Sequence, residues 1–171
     1  MNETELVIAA KQGDIHAFGE LYALYERKLY HYALYRLADR DDAMDTVQDC
    51  ALRAWESLTD LKHPEAFSAW LFKILSRCCN RKIKEQITRR KNDDIEDYAQ
   101  LLSADCGSLS DRLALERALE LLSDKDRDIV LLSVVAGLKS KEVGRIVRKS
   151  PANVRQRLHR SLQKMRSELK E

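Results

Sequence analysis

The 171-residue sequence predicts an all-α protein, and three observations support this fold class. It contains only five glycines and two prolines, and it has few alternating runs of β-branched residues. Apolar residues instead recur every three or four positions, as they do along one face of a helix. A chain of this length forms one domain or two small ones. We expect two small helical units, residues 1–91 and 111–171, joined by a flexible linker over residues 92–110.

The N-terminal unit is predicted to contain three long helices. Asp14 is placed to cap the first, over residues 17–38, whose apolar residues fall near one face. The acidic turn at residues 39–42 starts the second. Its inner face is predicted to hold Ala43, Val47, Ala51, Leu52 and Trp55. A loop over residues 59–63 precedes Pro64, which starts the third helix because proline fits a first helical position.

Residues 92–110 are predicted to be a linker because they are polar, contain Gly107 and several serines, and show weak periodicity. We allow a short helix near residues 95–102. Four helices follow, over residues 112–122, 125–136, 141–147 and 151–169. Three serines are candidate caps for the last three of these helices: Ser123, Ser140 and Ser150.

The last two helices have the pattern of a DNA-binding helix-turn-helix. Gly144 is small where the two helices must approach, and Pro151 fits the start of the second. An apolar stripe runs along that second helix: Val154, Leu158, Leu162, Met165 and Leu169. The rest of the helix is rich in arginine and glutamine, which can pair with base edges, and in lysine, which neutralises phosphates. Residues 139–171 hold 11 basic and 3 acidic residues, whereas an ordinary solvated hairpin, the alternative, normally mixes both signs.

Charge is segregated along the whole chain, although the formal net charge is only +2. Residues 73–91 carry a net charge of +7, and residues 93–128 carry −7. This arrangement indicates two nucleic-acid contacts separated by a segment that avoids nucleic acid. The acidic middle could also dock on a basic protein channel or fold back on the basic blocks.

Other features narrow the class of protein. No run of about 18 apolar residues and no signal-peptide pattern occurs, so we expect a cytoplasmic protein without membrane insertion. The four cysteines form no CxxC pair and are interpreted as free thiols, with a redox role for adjacent Cys78 and Cys79 left open. No phosphate loop, HExxH motif or nucleophile–base pair occurs, and the four histidines are scattered. We therefore expect no catalysis, no metal, no cofactor and no small-molecule substrate.

Several segments resemble those of one family. Residues 42–49 (DAMDTVQD) and 52–55 (LRAW) are similar to the DAEDLVQE…RAW signature of extracytoplasmic-function sigma factors. Residues 69–74 (AWLFKI) resemble the WLYRIA segment that follows it. Residues 137–143 (GLKSKEV) and 150–160 (SPANVRQRLHR) resemble GLSYEEIA…SVGTVKSRLHRA. The resemblance covers nearly the whole chain and keeps the order of the family.

The resemblance implies a fold and a function. Residues 1–91 would be sigma region 2, which binds core RNA polymerase and opens the −10 promoter element. Residues 111–171 would be sigma region 4, whose helix-turn-helix binds the −35 element. The chain would direct promoter-specific transcription initiation, with core RNA polymerase and promoter DNA as partners and an anti-sigma factor, often membrane-anchored, as its regulator. The alternative is a helix-turn-helix regulator that binds an operator without engaging polymerase; residues 1–90 would then form a ligand or dimerisation domain.

The resemblance also assigns roles to individual residues. The polymerase-binding face would be formed by Asp42, Asp45, Gln48, Asp49 and Arg53. The −10 element would be contacted by Asp60, Lys62 and His63 around a flipped base, and along the strand phosphates by Lys73, Arg77, Arg81 and Lys82. The −35 element would be contacted by Arg155, Gln156, His159 and Arg160, with Arg157 and Lys164 on phosphates. Spacing alone favours a solvated helix face for the first set, and only the resemblance reverses that preference. Residues 59–63 suit an ordinary turn as well as a base pocket.

This sequence departs from the family pattern at several positions. Met44 replaces a glutamate and Asp49 a longer glutamate, so the polymerase contact is expected to be weaker or shifted. Arg77 and Arg81 replace a frequent asparagine and aspartate, which adds charge near the −10 strand. Arg148 occupies a helix-turn-helix position that is often glycine; if this turn requires positive φ, the arginine costs on the order of 1 kcal/mol.

Overall fold

The computed structural model describes residues 1–90 and 109–170, and every long element in these ranges is an α-helix, which confirms the predicted fold class. The first range forms α1 (Glu3–Lys11), α2 (Ile15–Leu37), α3 (Arg40–Ser57) and α4 (Phe67–Arg90). Two short 3-10 turns, Leu58–Asp60 and Pro64–Ala66, connect α3 to α4. The second range forms α5 (Leu109–Glu120), α6 (Asp124–Val134), α7 (Ser140–Val147) and α8 (Pro151–Leu169).

The predicted linker over residues 92–110 falls almost entirely outside the described residues, as does the short helix allowed near residues 95–102. Its last two residues are described, and both belong to α5, which begins earlier than the sequence pattern predicted. Among the described helices, none combines the length and the apolar character that a bilayer crossing requires.

Short polar side chains cap the helices largely as predicted. Asp14, Asp39, Ser123 and Ser150 each accept a hydrogen bond from a backbone N–H in the first turn of the next helix, at 2.9 to 3.2 Å. Each bond satisfies a donor that has no partner within the helix. These four caps fix where α2, α3, α6 and α8 begin.

The predicted cap of α7 is wrong by one position. Lys139, not Ser140, has the extended backbone of an N-cap residue, and Ser140 is already helical. The capping role passes to Glu142, whose Oε1 accepts the Lys139 backbone N–H at 3.0 Å. A carboxylate in the first turn also lies favourably in the helix dipole.

The N-terminal unit, α1–α4, encloses one apolar core. Its largest fully buried side chains include Leu21, Leu29, Tyr32, Phe67, Phe72 and Leu75. Leu52, predicted on the inner face of α3, is instead 64% exposed. The inner face continues from Val47 through Cys50 and Ala54, whereas position 52 lies about 140° around the helix from Val47.

The C-terminal unit, α5–α8, packs α8 against the other three helices. Within the predicted stripe of α8, Val154 and Met165 are buried, and Leu158 and Leu162 are half-buried. The stripe ends before Leu169, which is 50% exposed. These buried residues define the inner side of α8, and the opposite side is therefore the one that is available to a partner.

The sequence predicted two separate units, but the structure packs them together. Helix α2 contacts α6, and α4 contacts α7. Asp128 of α6 is buried at this junction, where its neighbours come from α2 and α4. The sequence left open that the acidic middle folds back on the basic blocks, but no pattern singled out Asp128 or indicated its partners on α2 and α4.

Candidate DNA and polymerase interfaces

Helix α8 presents one polar face to solvent. Val154, Ser161 and Met165 are buried on its inner side. At 100° per residue, the opposite side collects the four side chains predicted to read bases, and all four are exposed: Arg155, Gln156, His159 and Arg160. Lys164, predicted to bind phosphate, is exposed one turn later. The structure therefore groups five of the six predicted −35 residues on one surface, and Arg157 is the exception.

The side chains of α8 that were predicted to read bases have no partners inside the described part of the protein. Within the part of the chain that the structure describes, Arg155, Gln156, His159 and Arg160 form no hydrogen bond or ion pair with another side chain. Guanidinium and carboxamide groups in this state keep all their donors for a partner. The face can therefore make bidentate contacts to purine edges in a major groove.

Arg157 has a different environment from its neighbours. Its Nε donates to Asn153 Oδ1 at 3.0 Å, and its Nη1 donates to Asp126 Oδ1 at 3.0 Å. The ion pair with Asp126 joins α8 to α6 and is only partly exposed. Arg157 was predicted to bind phosphate, but the structure uses its guanidinium to set the orientation of the helix.

The turn between α7 and α8 requires the residue types found there. A Cβ at Gly144 would lie 2.4 Å from the backbone oxygen of Lys149, so only glycine allows this approach. Arg148 adopts φ 60° and ψ 50°, the left-handed region that favours glycine. Both expectations about the turn are confirmed, and the conformation of Arg148 costs about 1 kcal/mol.

The outer face of α3 carries most of the predicted polymerase contacts. Asp45, Gln48 and Arg53 are exposed, and Asp49 is partly exposed beside them. Arg53 Nε donates to Asp49 Oδ2 at 3.0 Å, and Arg81 of α4 approaches the same oxygen at 3.6 Å. The result is a polar surface whose charges are partly neutralised by one another.

The same face of α3 exposes two apolar side chains that the sequence did not assign to it. Met44 is 52% exposed and Leu52 is 64% exposed, and they lie one turn before and one turn after Gln48. Met44 was noted only as a departure from the family signature, and Leu52 was placed in the core. A mixed polar and apolar strip is typical of a protein-binding surface, where apolar contacts form the centre and polar ones the rim.

Asp42 belongs to the interior and not to the outer face of α3. Its Oδ2 accepts hydrogen bonds from Gln86 Nε2 at 2.8 Å and from Arg89 Nη2 at 2.7 Å, and Lys82 Nζ lies 3.7 Å from Oδ1. Burial acts to raise the pKa of Asp42, but the bonds from Gln86 and Arg89 and the nearby cations outweigh it and hold this pKa below its usual range. The carboxylate ties α3 to the end of α4, because position 42 faces α4 and position 45 faces solvent.

The loop predicted to hold a flipped base, residues 59–63, is anchored to the rest of the N-terminal unit by a buried side chain and a hydrogen bond. Leu61 is buried, and Lys11 Nζ donates to its backbone oxygen at 2.5 Å. Around it Asp60, Lys62 and His63 all point to solvent, the last 3.6 Å from Glu65. Exposed polar groups on an anchored loop suit a base pocket and an ordinary turn equally, so the role of this loop stays a prediction.

The cations of α4 divide into two pairs. Lys73 and Arg77 are exposed and line a cleft between α4 and α7. Arg81 lies beside Asp49, and Lys82 is turned toward Asp42 and Glu85. The predicted row of four phosphate-binding residues is therefore not a uniform one, since two members already have carboxylate partners.

The described cysteines are placed for packing. Cys50, Cys78 and Cys79 are buried free thiols, and Cys106 lies outside the described residues. Burial raises the pKa of Cys78 and raises that of Cys79 to about 12, so the reactive thiolate is scarce. This environment disfavours a redox role for the adjacent pair. Within residues 1–90 and 109–170, no three His, Cys, Asp or Glu side chains are grouped as metal ligands would be.

Comparison with known proteins connects these surfaces to a family. The family described as Sigma-70 region 2 matches residues 21–91, and the one described as Sigma-70, region 4 matches residues 112–165. The RNA polymerase sigma factor NccH of Alcaligenes xylosoxydans xylosoxydans is 31% identical over 167 residues, which span 91% of this chain and 88% of NccH. The chain belongs to the extracytoplasmic-function family of RNA polymerase sigma factors. The outer face of α3 thus lies in region 2 and the exposed face of α8 in region 4.

Two solved structures share the fold of both regions. CnrH, solved in complex with the cytosolic domain of CnrY, has a TM-score of 0.73 and 25% identity, covering 98% of this chain and 97% of CnrH. RpoE of Bartonella quintana, solved with the anti-sigma factor NepR, has a TM-score of 0.74 and 25% identity, covering 90% of this chain and 96% of RpoE. The similarity therefore extends across the whole architecture.

Proposed function

We propose that this chain binds core RNA polymerase and directs it to promoters that carry a −10 and a −35 element. The observation that supports this most directly is the presence, in one chain and in family order, of a region 2 match over residues 21–91 and a region 4 match over residues 112–165. A factor that selects promoters needs one surface for the enzyme and another for DNA. The outer face of α3 and the exposed face of α8 are suited to these two tasks.

In region 4, we assign base recognition to the N-terminal half of the exposed face of α8. Arg155 and Gln156 are the strongest candidates because their side chains make bidentate hydrogen bonds with guanine and adenine edges. His159 and Arg160 extend the same face by one turn. Lys164 and Arg166 lie further along and would neutralise phosphates without reading sequence. Arg157 would act indirectly, by holding α8 against α6 through Asp126.

In region 2, we assign polymerase binding to Asp45, Gln48, Asp49 and Arg53, with Met44 and Leu52 as apolar anchors of the same surface. Asp42 is left out of this surface because its carboxylate is occupied by Gln86, Arg89 and Lys82. The −10 strand would follow Lys73 and Arg77, because Arg81 and Lys82 already have carboxylate partners. A base flipped from that strand loses a few kcal/mol of stacking, which Asp60, Lys62 and His63 would offset with edge hydrogen bonds.

The proposal divides the chain into region 2 over residues 1–91, a linker over residues 92–110 and region 4 over residues 111–171. It assigns the chain no chemical step of its own, since polymerase carries out the synthesis. Its place of action is the cytoplasm, where core polymerase and promoter DNA are found.

An anti-sigma factor is the proposed regulator. CnrH was solved with the cytosolic domain of CnrY, and RpoE with the anti-sigma factor NepR. Both partners are bound by chains of the same architecture as this one. A tagged copy of this chain, isolated from its native cell, should carry a stoichiometric second protein that releases it when transcription is induced.

Reconstituted transcription tests the proposed function against the alternative of an operator-binding regulator. Core RNA polymerase, the purified chain and a pool of genomic fragments should yield transcripts that start at a small set of sites. Core enzyme alone is the control and should yield none from those sites. A regulator that only binds operators cannot supply this activity, so transcripts that do not depend on the added chain would reject the proposal.

A further inference from the structure

The junction of the two regions contains a buried aspartate that is bound from the other region. Asp128 of α6 is 7% exposed. Its Oδ1 accepts a hydrogen bond from the Tyr32 hydroxyl of α2, and its Oδ2 lies 3.4 Å from the Ser76 hydroxyl of α4, which donates to it. Arg36 Nη1 lies 4.0 Å from the same Oδ2. All three partners belong to region 2, and we name these four residues the Asp128 cluster.

Region 2 holds its half of the Asp128 cluster in place by its own contacts. Arg36 donates to the Tyr32 hydroxyl at 3.3 Å, to the Ser76 backbone oxygen at 3.4 Å and to Asn80 Oδ1 at 2.8 Å. Tyr32 is fully buried, with its ring edge-on to Phe72 at 5.9 Å. Tyr32, Arg36 and Ser76 therefore form a cationic socket that region 2 supports with its own contacts, and Asp128 is the anion that fills it.

Desolvation of the charges in a buried ionic cluster offsets much of their attraction, so such a cluster adds little net stability, and in some proteins its main effect is to specify one arrangement. Removing one member is costly, since the remaining charge stays buried without its partner. The Asp128 cluster therefore selects one relative placement of the two regions. Its loss should release that placement and leave each region folded around its own apolar core.

The surroundings of the cluster oppose closure. Cations predominate in a cleft of about 450 Å³ beside it, which also includes the acidic Asp124. The cations are Lys73 and Arg77 from region 2 and Lys125, Arg145 and Arg148 from region 4. Cations that face each other across a cleft repel, and the repulsion grows as water leaves. The closed arrangement is thus a balance between one buried attraction and several partly exposed repulsions, which makes it responsive to a single substitution.

Promoter recognition demands the opposite arrangement. The centres of a −10 and a −35 element lie about 25 base pairs apart, roughly 85 Å along B-form DNA. Regions in direct contact through α2–α6 and α4–α7 cannot reach both elements together. In this arrangement Lys73 and Arg77, proposed to follow the −10 strand, line the cleft that α7 borders.

We propose that the Asp128 cluster is an intramolecular clasp that holds the chain in a closed, promoter-incompetent arrangement, and that its opening precedes promoter binding. The inhibitory part of this inference rests on the proposed function. The clasp itself does not, because it concerns only the relative placement of the two regions. When only a fraction of the chain is open, the apparent affinity for polymerase and promoter is reduced by that fraction.

The test compares four full-length proteins: the wild type, Asp128→Asn, Tyr32→Phe and Asp124→Asn. Asp128→Asn removes the charge that pairs with Arg36. Tyr32→Phe removes only the hydroxyl and keeps the ring in the core, so it serves if Asp128→Asn folds poorly. Asp124→Asn is the matched control, since Asp124 lies on the same helix and lines the same cleft but pairs with Arg127 of its own region. Circular dichroism verifies that all four are equally helical.

Small-angle scattering and transcription give the two readouts. The wild type should have a radius of gyration near the roughly 16 Å expected of a compact chain of this length. Asp128→Asn should raise it by several ångström and lower the concentration for half-maximal transcription about 3- to 10-fold, with a smaller change of the same sign for Tyr32→Phe. Asp124→Asn should match the wild type in both.

Each other outcome counts against the clasp. If Asp128→Asn and Tyr32→Phe both leave the radius of gyration unchanged, the clasp is rejected. If the radius increases but the concentration for half-maximal transcription stays the same, only the inhibitory role of the clasp is rejected. An equal effect of Asp124→Asn would attribute the change to the charge of the cleft. If the wild type itself supports no transcription, the proposed function fails and the inhibitory role fails with it, while scattering still decides whether Asp128 holds the regions together.

Discussion

Region 2 and region 4 use similar amounts of positive charge in opposite ways. Residues 73–91 carry a net charge of +7 and residues 139–171 one of +8. In region 2, Arg81, Lys82 and Arg89 have carboxylate partners on α3. In region 4, the exposed cations of α8 have no such partner among the described residues. The net charge of a segment therefore predicts contact with nucleic acid only after the ion pairs inside the fold are subtracted.

The largest expected effect is on the stability of region 2, which depends on its internal charge pairs. Asp42→Ala should lower the free energy of unfolding by about 2–3 kcal/mol, because it removes the buried carboxylate that accepts from both Gln86 and Arg89 and that lies near Lys82; Gln86 keeps only its bond to the Leu37 backbone oxygen, and Lys82 keeps only Glu85. Chemical denaturation of the full chain measures the change. Asp45→Ala, on the exposed side of the same helix, is the control and should stay within about 0.5 kcal/mol of the wild type.

The pH dependence of a second substitution at the same position, Asp42→Asn, sharpens the comparison. The pKa of Asp42 is lowered in the folded chain, so its stabilising contribution is present above the unfolded value of about 4 and is lost as the pH falls through the folded value. The stability difference between the wild type and Asp42→Asn should therefore be constant near neutral pH and shrink below about pH 4. A difference that instead grows in acid would mean that Asp42 is not the ionised partner.

Region 4 depends on a backbone turn where region 2 depends on charges. Gly144→Ala should cost about 2 kcal/mol of stability, because the added Cβ would lie 2.4 Å from the Lys149 backbone oxygen and would force α7 and α8 apart. Gly19→Ala is the matched control, since Gly19 is also helical but has open space around it. That change should stabilise the chain by about 0.5–1 kcal/mol. If Gly144→Ala and Gly19→Ala changed the stability in the same direction, the close approach of Gly144 to the Lys149 backbone would be contradicted.

The unpaired side chains of α8 should separate into base readers and phosphate contacts. Arg155→Ala or Gln156→Ala should cost about 1–3 kcal/mol in binding of the polymerase holoenzyme to its promoter and relax discrimination at one or two base pairs. Lys164→Ala should weaken binding to all sequences about equally and make the log–log salt slope shallower by about one unit. A panel of single-base promoter variants at two salt concentrations measures both. If Lys164 changes base preference and Gln156 changes only the salt slope, the assigned rotation of α8 is wrong.

The smallest expected effect is a gain in stability, whereas most substitutions destabilise a protein. Arg148→Gly should stabilise region 4 by about 1 kcal/mol, because φ 60° strains arginine and not glycine. Thermal unfolding of the full chain measures it. Arg145→Gly, in the helical interior of α7, is the control and should destabilise by about 1 kcal/mol.

Much of the fold could be predicted from local residue types. Asp14, Ser123 and Ser150 fix helix starts through bonds to backbone groups a few residues away, so the sequence contains both partners of the contact. The same holds for Gly144 and Arg148, since the short turn between α7 and α8 determines their backbone geometry.

The rest depends on partners that are distant in the sequence. Asp42 and Asp45 are equally acidic and close in the sequence, and only the position of α4 decides that Asp42 is buried and Asp45 is not. Leu52 was misplaced because an apolar residue on an amphipathic helix can serve either the core or a partner. Asp128 was missed because its three partners are 52 to 96 residues away.

The division of labour between the two regions is tested most directly by measuring core polymerase binding and promoter discrimination for two double variants of the full chain. Asp45→Ala with Gln48→Ala should weaken binding to core RNA polymerase about tenfold or more, equivalent to about 1.4 kcal/mol, and leave the base preference of the remaining holoenzyme unchanged. Arg155→Ala with Gln156→Ala should bind core polymerase as the wild type does and lose discrimination at the −35 element. Full-strength polymerase binding by the first variant, or weakened polymerase binding by the second, would contradict the assignment of the two surfaces.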